Sequence, residues 1–136
     1  MPLKSDSAVP QVTVTIRGKK PIAWLNNEWE WRGVLAKQAR KTRAKNERQE
    51  VSKTTRFAVE VTFFLNETNV ERVDLDNLAK PVLDTLFRPR RPQVKDLNLT
   101  GALFDVDDDR VFKLSLEKRM VSSTKDEGVD VTVTWG

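Results

Sequence analysis

The stretch RFAVEVTFFL, residues 56–65, constrains this chain more than any other. Phe57, Val59, Val61, Phe63 and Leu65 alternate with Ala58, Glu60, Thr62 and Phe64. A strand turns successive side chains to opposite faces, so this period of two describes a strand with one strongly apolar face. An apolar face of that length requires neighbouring strands beside it and something apolar laid over it. Further strands are legible in QVTVTIR, which alternates Val12, Val14 and Ile16, and over residues 110–121 and 129–135. The turn SSTKDEG between the last two predicts an antiparallel hairpin. Two segments can supply the cover. Residues 27–48 predict a helix weakened or bent at Gly33. In VDLDNLAKPVLDTLF, residues 73–87, helical spacing puts Leu75, Leu78, Ala79, Val82 and Leu86 on one side. Pro81 costs least in a first turn, so this helix is expected to begin near Asn77, a plausible N-cap. RPRRPQVKDLNLTG, residues 88–101, reads as an exposed loop that is long for a compact domain. The order is β-α-β-α-β-β. It predicts an α/β (α+β) fold in which one small domain, residues 11–136, carries a mixed β-sheet with helices packed on one face. Residues 1–10 read as a flexible tail.

Composition removes several chemistries. The 136 residues contain no cysteine and no histidine, which excludes disulfides, thiolate metal sites, Ser-His-Asp triads and histidine-based nuclease sites. Catalysis would fall to carboxylates, lysine, hydroxyls and a metal. No apolar run approaches the ~18 residues of a membrane span, and no signal-peptide pattern opens the chain, so a cytoplasmic protein is expected. The net charge of +4 conceals a division. Residues 1–56 carry 13 Lys/Arg against 5 Asp/Glu, whereas residues 57–136 carry 11 against 15. A basic half joined to an acidic half suits a polyanion held by one part and a cation held by the other.

The acids form two clusters. Asp76, Lys80 and Asp84 recur every fourth residue, a polar ridge opposite the apolar face of their helix, with Asp74 just ahead of it. The second cluster is Asp105, Asp107, Asp108 and Asp109, at the mouth of a strand. It is no EF-hand: the loop position that needs glycine holds Arg110, and the position that needs glutamate holds Leu116. Crowded aspartates repel one another unless a cation compensates, and magnesium is commonly held by a few carboxylates with several waters. A strand mouth facing a helix start would bring Asp74 and Asp76 near a later aspartate. The spacing equally fits helix decoration, since Asp76–Lys80 and Lys80–Asp84 are ordinary i, i+4 pairs, and the aspartate run fits a solvated turn.

Taken together, VDLDNLAKPVLDTLF and DDDRV resemble the RusA family of Holliday junction resolvases, the crossover junction endodeoxyribonucleases. The family pattern D-x-D-N-x-x-K-x-x-x-D-x-L is met by Asp74, Asp76, Asn77, Lys80, Asp84 and Leu86. The later D-D-x-x-V is met by Asp107, Asp108 and Val111. Residues 73–120 carry the strong resemblance; PIAWLNNEWEWRGVLAKQARKTRAK is similar, more loosely, to the front half of phage-type members. The resemblance implies a magnesium-dependent endonuclease, with manganese as a substitute ion. It implies a homodimer that nicks paired strands of a four-way DNA junction in recombination and repair. It makes Asp74, Asp76 and Asp108 the metal-binding catalytic acids and Lys80 the catalytic lysine. Asp84 falls on a structural position, and Asp107 supports or replaces the third acid. Two departures bear on substrate preference. Residues 88–104 stand where members have a short glycine-containing connection, and RPRR within them offers an added DNA contact. The start also lacks the basic, proline-rich stretch of some members.

Arg32, Lys37, Arg40, Lys41, Arg43, Lys45 and Arg48 would meet DNA phosphates, giving affinity that falls with salt and reads no sequence. One of Trp24, Trp29 and Trp31 is a candidate to stack on an unpaired base, with core packing as the ordinary alternative, and Trp135 is expected in the core. The expected partner is branched DNA, with no membrane. The alternatives are a DNA-binding protein of the same fold without activity, and a nuclease acting on a flap, a fork or RNA.

Overall fold

The computed structural model describes residues 10–45, 51–90 and 98–136. Strand β1 (Gln11–Arg17) leads to helix α1 (Trp29–Lys45), and strand β2 (Phe57–Asn66) runs directly into a one-turn helix α2 (Glu67–Val70). Helix α3 (Leu75–Leu86) follows, then strands β3 (Val111–Val121) and β4 (Gly128–Trp135). The four strands form one mixed sheet in the order β1-β4-β2-β3, in which β2 and β3 are parallel and the other pairs antiparallel. This is a small single α+β domain.

The expected hairpin of the last two strands does not form. Strand β4 crosses over β2 and inserts between β1 and β2, so β3 is left at the edge. The reason lies in the apolar pattern. β4 buries Val129, Val131, Val133 and Trp135 on one face, which suits a central strand, whereas no β3 residue is fully buried. Phe57, Val59, Val61, Phe63 and Leu65 of β2 are all buried, as the alternation requires. Each such side chain contributes about 1.5–3 kcal/mol relative to exposure. Over them lie Trp31, Leu35, Ala36 and Ala39 of α1 and Leu78, Val82 and Leu86 of α3. The opposite face, carrying Thr13, Glu60 and Thr132, is open and polar. Gly128 is required where β4 meets β1: a Cβ there would lie 1.8 Å from the Ile16 carbonyl oxygen.

Three further expectations change. Helix α1 runs through Gly33 unbroken. Helix α3 begins at Leu75 with Asp74, not Asn77, at its N-cap position. The loop expected over residues 88–101 is not wholly exposed, because it closes on a buried Gly101, and Ala102, Leu103 and Phe104 beyond it are buried too. Phe104 joins Phe57, Phe87 and Trp135 in an aromatic cluster with ring centroids 4.8–6.2 Å apart. Residues 1–9 of the expected tail, Arg48, and Arg91 of RPRR lie outside the described residues. No helix among the described residues is long and apolar enough to cross a membrane.

Candidate active site

Helix α3 carries the first acidic motif as a ladder. Asp74 has extended backbone angles and its carboxylate makes no capping bond, so it is not consumed by its own helix. The Asp76 carboxylate accepts the Asn77 backbone N–H at 3.0 Å. Both acids are exposed at the positively polarised end of the helix. One turn on, Lys80 Nζ stands 3.2 Å from Asp84 Oδ2. Asp84 itself is 8% exposed, so the pair anchors the lysine from the protein side.

Pro81 lies within the helix. Having no N–H, it leaves the Asn77 carbonyl without its helical donor. The Trp24 backbone N–H takes that place at 2.8 Å. The loop before α1 is thereby docked on α3, and the Lys80 ammonium lies 5.2 Å from the centroid of the Trp24 ring. Trp24 is 41% exposed, whereas Trp31 and Trp135 are buried, so of the candidate stacking tryptophans Trp24 is the most open.

The second motif is built by a short turn. The Asp107 carboxylate accepts the Asp109 N–H at 2.9 Å and so caps the single 3-10 turn Asp108–Arg110. A bridge between Arg88 and Asp107 fixes the turn to the segment just beyond α3. There Arg88 N–H donates to the Val106 carbonyl at 2.8 Å, and Asp108 N–H to the Arg88 carbonyl at 2.9 Å. Asp108 accordingly comes within the fields of Asp84 and Lys80. Its carboxyl is pushed up to about 6, first by burial, then by a hydrogen bond to Asp107 and the negative charge of Asp107 and Asp84; Lys80 opposes the shift.

The structure thus brings Asp107 and Asp108 towards Lys80 and Asp84, in the middle and second half of α3, and leaves Asp74 and Asp76 at its start. From Asp76 to Asp84 the helix rises about 12 Å. Among the described residues no three acidic side chains converge as a metal-binding group. The donor chemistry nevertheless suits a hard divalent ion: the donors are carboxylate oxygens, and Asp108 is held beside Asp107 in a pair that a cation would relieve.

The basic helix holds one correction. Arg32 is 1% exposed, its Nε donating to Thr85 Oγ1 at 2.8 Å and its guanidinium lying 5.4 Å from the Trp29 ring centroid. It ties α1 to α3 from inside and is out of reach of a phosphate. Helical spacing explains this, because Arg32 precedes Leu35, Ala36 and Ala39 on the buried stripe. Lys37, Arg40, Lys41, Arg43 and Lys45 are exposed, and Arg40 also donates to the Asn98 carbonyl. Sequence reading missed a second basic group, Lys53 and Arg110, which with Arg88 and Arg90 lines a cavity of about 530 Å³ beside Asp105, Asp107 and Asp109. Arg110 adjoins the aspartates in sequence and was the available signal; Lys53 is far away in sequence and gave none. No protein-family model matches this chain, and no curated protein sequence matches it.

Proposed function

We propose that this protein is a RusA-like, magnesium-dependent endodeoxyribonuclease acting on branched DNA, with the four-way junction as its substrate. The observation that carries the reading is the lysine–aspartate cluster: two motifs 20 residues apart in sequence meet so that Asp108, raised towards 6, stands in the fields of Asp84 and Lys80. A raised carboxyl set beside a lysine and further carboxylates suits phosphodiester hydrolysis better than it suits a solvated surface. Magnesium, when bound through Asp74, Asp76 and Asp108, would supply the activated water and stabilise the leaving oxygen. Lys80, held by Asp84, orients the scissile phosphate and offsets the negative charge that builds on it. The exposed cations of α1 hold the flanking phosphates without reading sequence.

The homodimer has a structural use in this reading. Asp74 and Asp76 stand at the start of α3 and Asp108 stands by Lys80 and Asp84 further along it, and a second copy would let one protomer's helix start meet the other's aspartate turn. The test is cleavage of a labelled four-way junction in Mg²⁺, beside linear duplex and flap. Asp76→Asn should abolish paired nicking while junction binding persists or tightens, because negative charge is removed. Mixing Asp76→Asn with Asp108→Asn protein and allowing exchange should restore part of the activity when the site is shared between copies. Equal loss of binding and cutting in Asp76→Asn would overturn the metal-site assignment.

A further inference from the structure

We propose that Phe112 is a stacking platform for an unpaired nucleobase of single-stranded DNA, with Arg56 and Lys113 as partners for the adjoining phosphates. The platform belongs neither to α1 nor to the acidic cluster. It begins with a fault in the β2–β3 ladder: Val111 lies opposite Phe57 and Lys113 opposite Ala58, so Phe112 is the extra residue of a bulge and has no partner across the ladder. Bulges re-aim side chains and gather beside active sites, and this one lies four residues after Asp108. Phe112 is 57% exposed, on the strand at the edge of the sheet.

Its surroundings favour a nucleotide over an apolar partner. Two guanidinium groups lie against the ring, with Arg56 Cζ 4.8 Å and Arg110 Cζ 4.9 Å from its centroid. Arg110 is fixed by bonds to the Thr54 and Thr55 carbonyls at 2.9 and 3.2 Å. Arg56 is exposed and lies over the ring by a contact that is weak at a solvated site. Behind the ring is a shallow cleft of about 340 Å³ lined by Phe112, Arg56, Lys113, Ala58 and Trp135 among others, with no acidic side chain in its wall. Cations with an aromatic face and no acid form the pattern that tracks a single strand: the aromatic takes a base and the cations take phosphates. An incoming base would displace Arg56 from the ring and free its guanidinium for a phosphate oxygen, so one contact is exchanged for two. A base within a duplex has both faces covered and cannot use the ring. The choice of DNA over RNA rests on the nuclease reading above; the stacking does not.

The experiment uses the full chain in chelator and a short oligothymidine carrying one 2-aminopurine, whose fluorescence is quenched by stacking. The unmodified protein should quench it. Phe112→Ala and Phe112→Leu should lose the quench and bind about 5- to 150-fold more weakly, the range expected for one base–aromatic stack. Phe112→Tyr should restore both. Blunt duplex should bind all four proteins alike. Quenching and affinity unchanged in Phe112→Leu would overturn the inference, as would an equal loss for single strand and duplex. Junction cleavage measured in the same preparations separates the two readings. Phe112-dependent quenching by a protein that cuts nothing retains the platform and removes the nuclease. Cutting with Phe112-independent quenching does the reverse.

Discussion

Replacing Asp108 by asparagine should stabilise the metal-free protein at neutral pH while ending the proposed nuclease activity. The Asp108 carboxyl ordinarily titrates at 3.8 and in the fold is raised to about 6, by burial first and then by Asp107 and Asp84. On unfolding it returns to the ordinary value. Between these two values the folded state binds more proton than the unfolded, so the contribution of this group to stability falls as pH rises through that window, and the whole penalty is present above about 6. Taken at face value a displacement of this size approaches about 3 kcal/mol. Asp108 is only partly buried, and solvent screening reduces the penalty to about 1 kcal/mol. An amide cannot ionise, and its N–H can donate to Asp107 as the protonated acid does. Thermal unfolding in chelator at pH 7.5 should therefore show Asp108→Asn melting about 3–5 °C above the unmodified protein, with the gain shrinking towards pH 4. Millimolar Mg²⁺ should raise the melting temperature of the unmodified protein and leave that of Asp108→Asn in place. A variant that melts lower at pH 7.5, or whose gain is the same at pH 7.5 and pH 4.5, would refute the reasoning.

Arg32 and Lys41, both basic residues of α1, should separate cleanly. Arg32→Ala strands Thr85 in the interior and should cost about 2–3 kcal/mol in urea unfolding. Lys41→Ala should leave the unfolding midpoint in place and lower the slope of log affinity against log salt by about one. Gly128→Ala drives a Cβ into the Ile16 carbonyl at 1.8 Å, so soluble yield should collapse and any folded remainder should melt far lower. Pro81→Ala returns an N–H to α3 that competes with Trp24 for the Asn77 carbonyl; hydrogen exchange should find the Trp24 amide less protected while α3 becomes more so.

What could be read in the sequence follows the range of the interactions concerned. The β2 alternation, the amphipathic α3 and the four strands are set by side chains within one element, and they lie where periodicity puts them. The pairing of β4 with β1 and β2 instead of β3 depends on which strand has enough apolar surface to be central. That is a comparison between strands, and the SSTKDEG turn suggested the local answer instead. Arg32 failed for a related reason: its charge was counted with its neighbours, but its angle on the helix places it with Leu35 and Ala36. The start of α3 was misjudged because Pro81 was taken to need a first turn. In the fold it stands deeper, and the donor it lacks is replaced from outside the helix by Trp24, a partner 53 residues before Asn77 that no local pattern discloses.

The placement of the two acidic motifs was likewise not legible in the sequence, because it follows from the parallel pairing of β2 with β3, where the sequence suggested a hairpin of the last two strands. β2 and β3 are parallel neighbours, so a helix joining them must run back against both strands. Residues at its start then lie near the far ends of the strands, and residues following it lie near the beginning of β3. Lys118 marks one end, its ammonium donating to the Val70 and Val73 carbonyls just before α3. The Arg88–Asp107 bridge marks the other. A parallel β-α-β unit with acids before the helix and acids before the second strand places the two sets towards opposite ends of that helix. Here the Asp108 N–H, bonded to the Arg88 carbonyl, holds the aspartate turn beside the end of α3, away from Asp74 and Asp76 at its start.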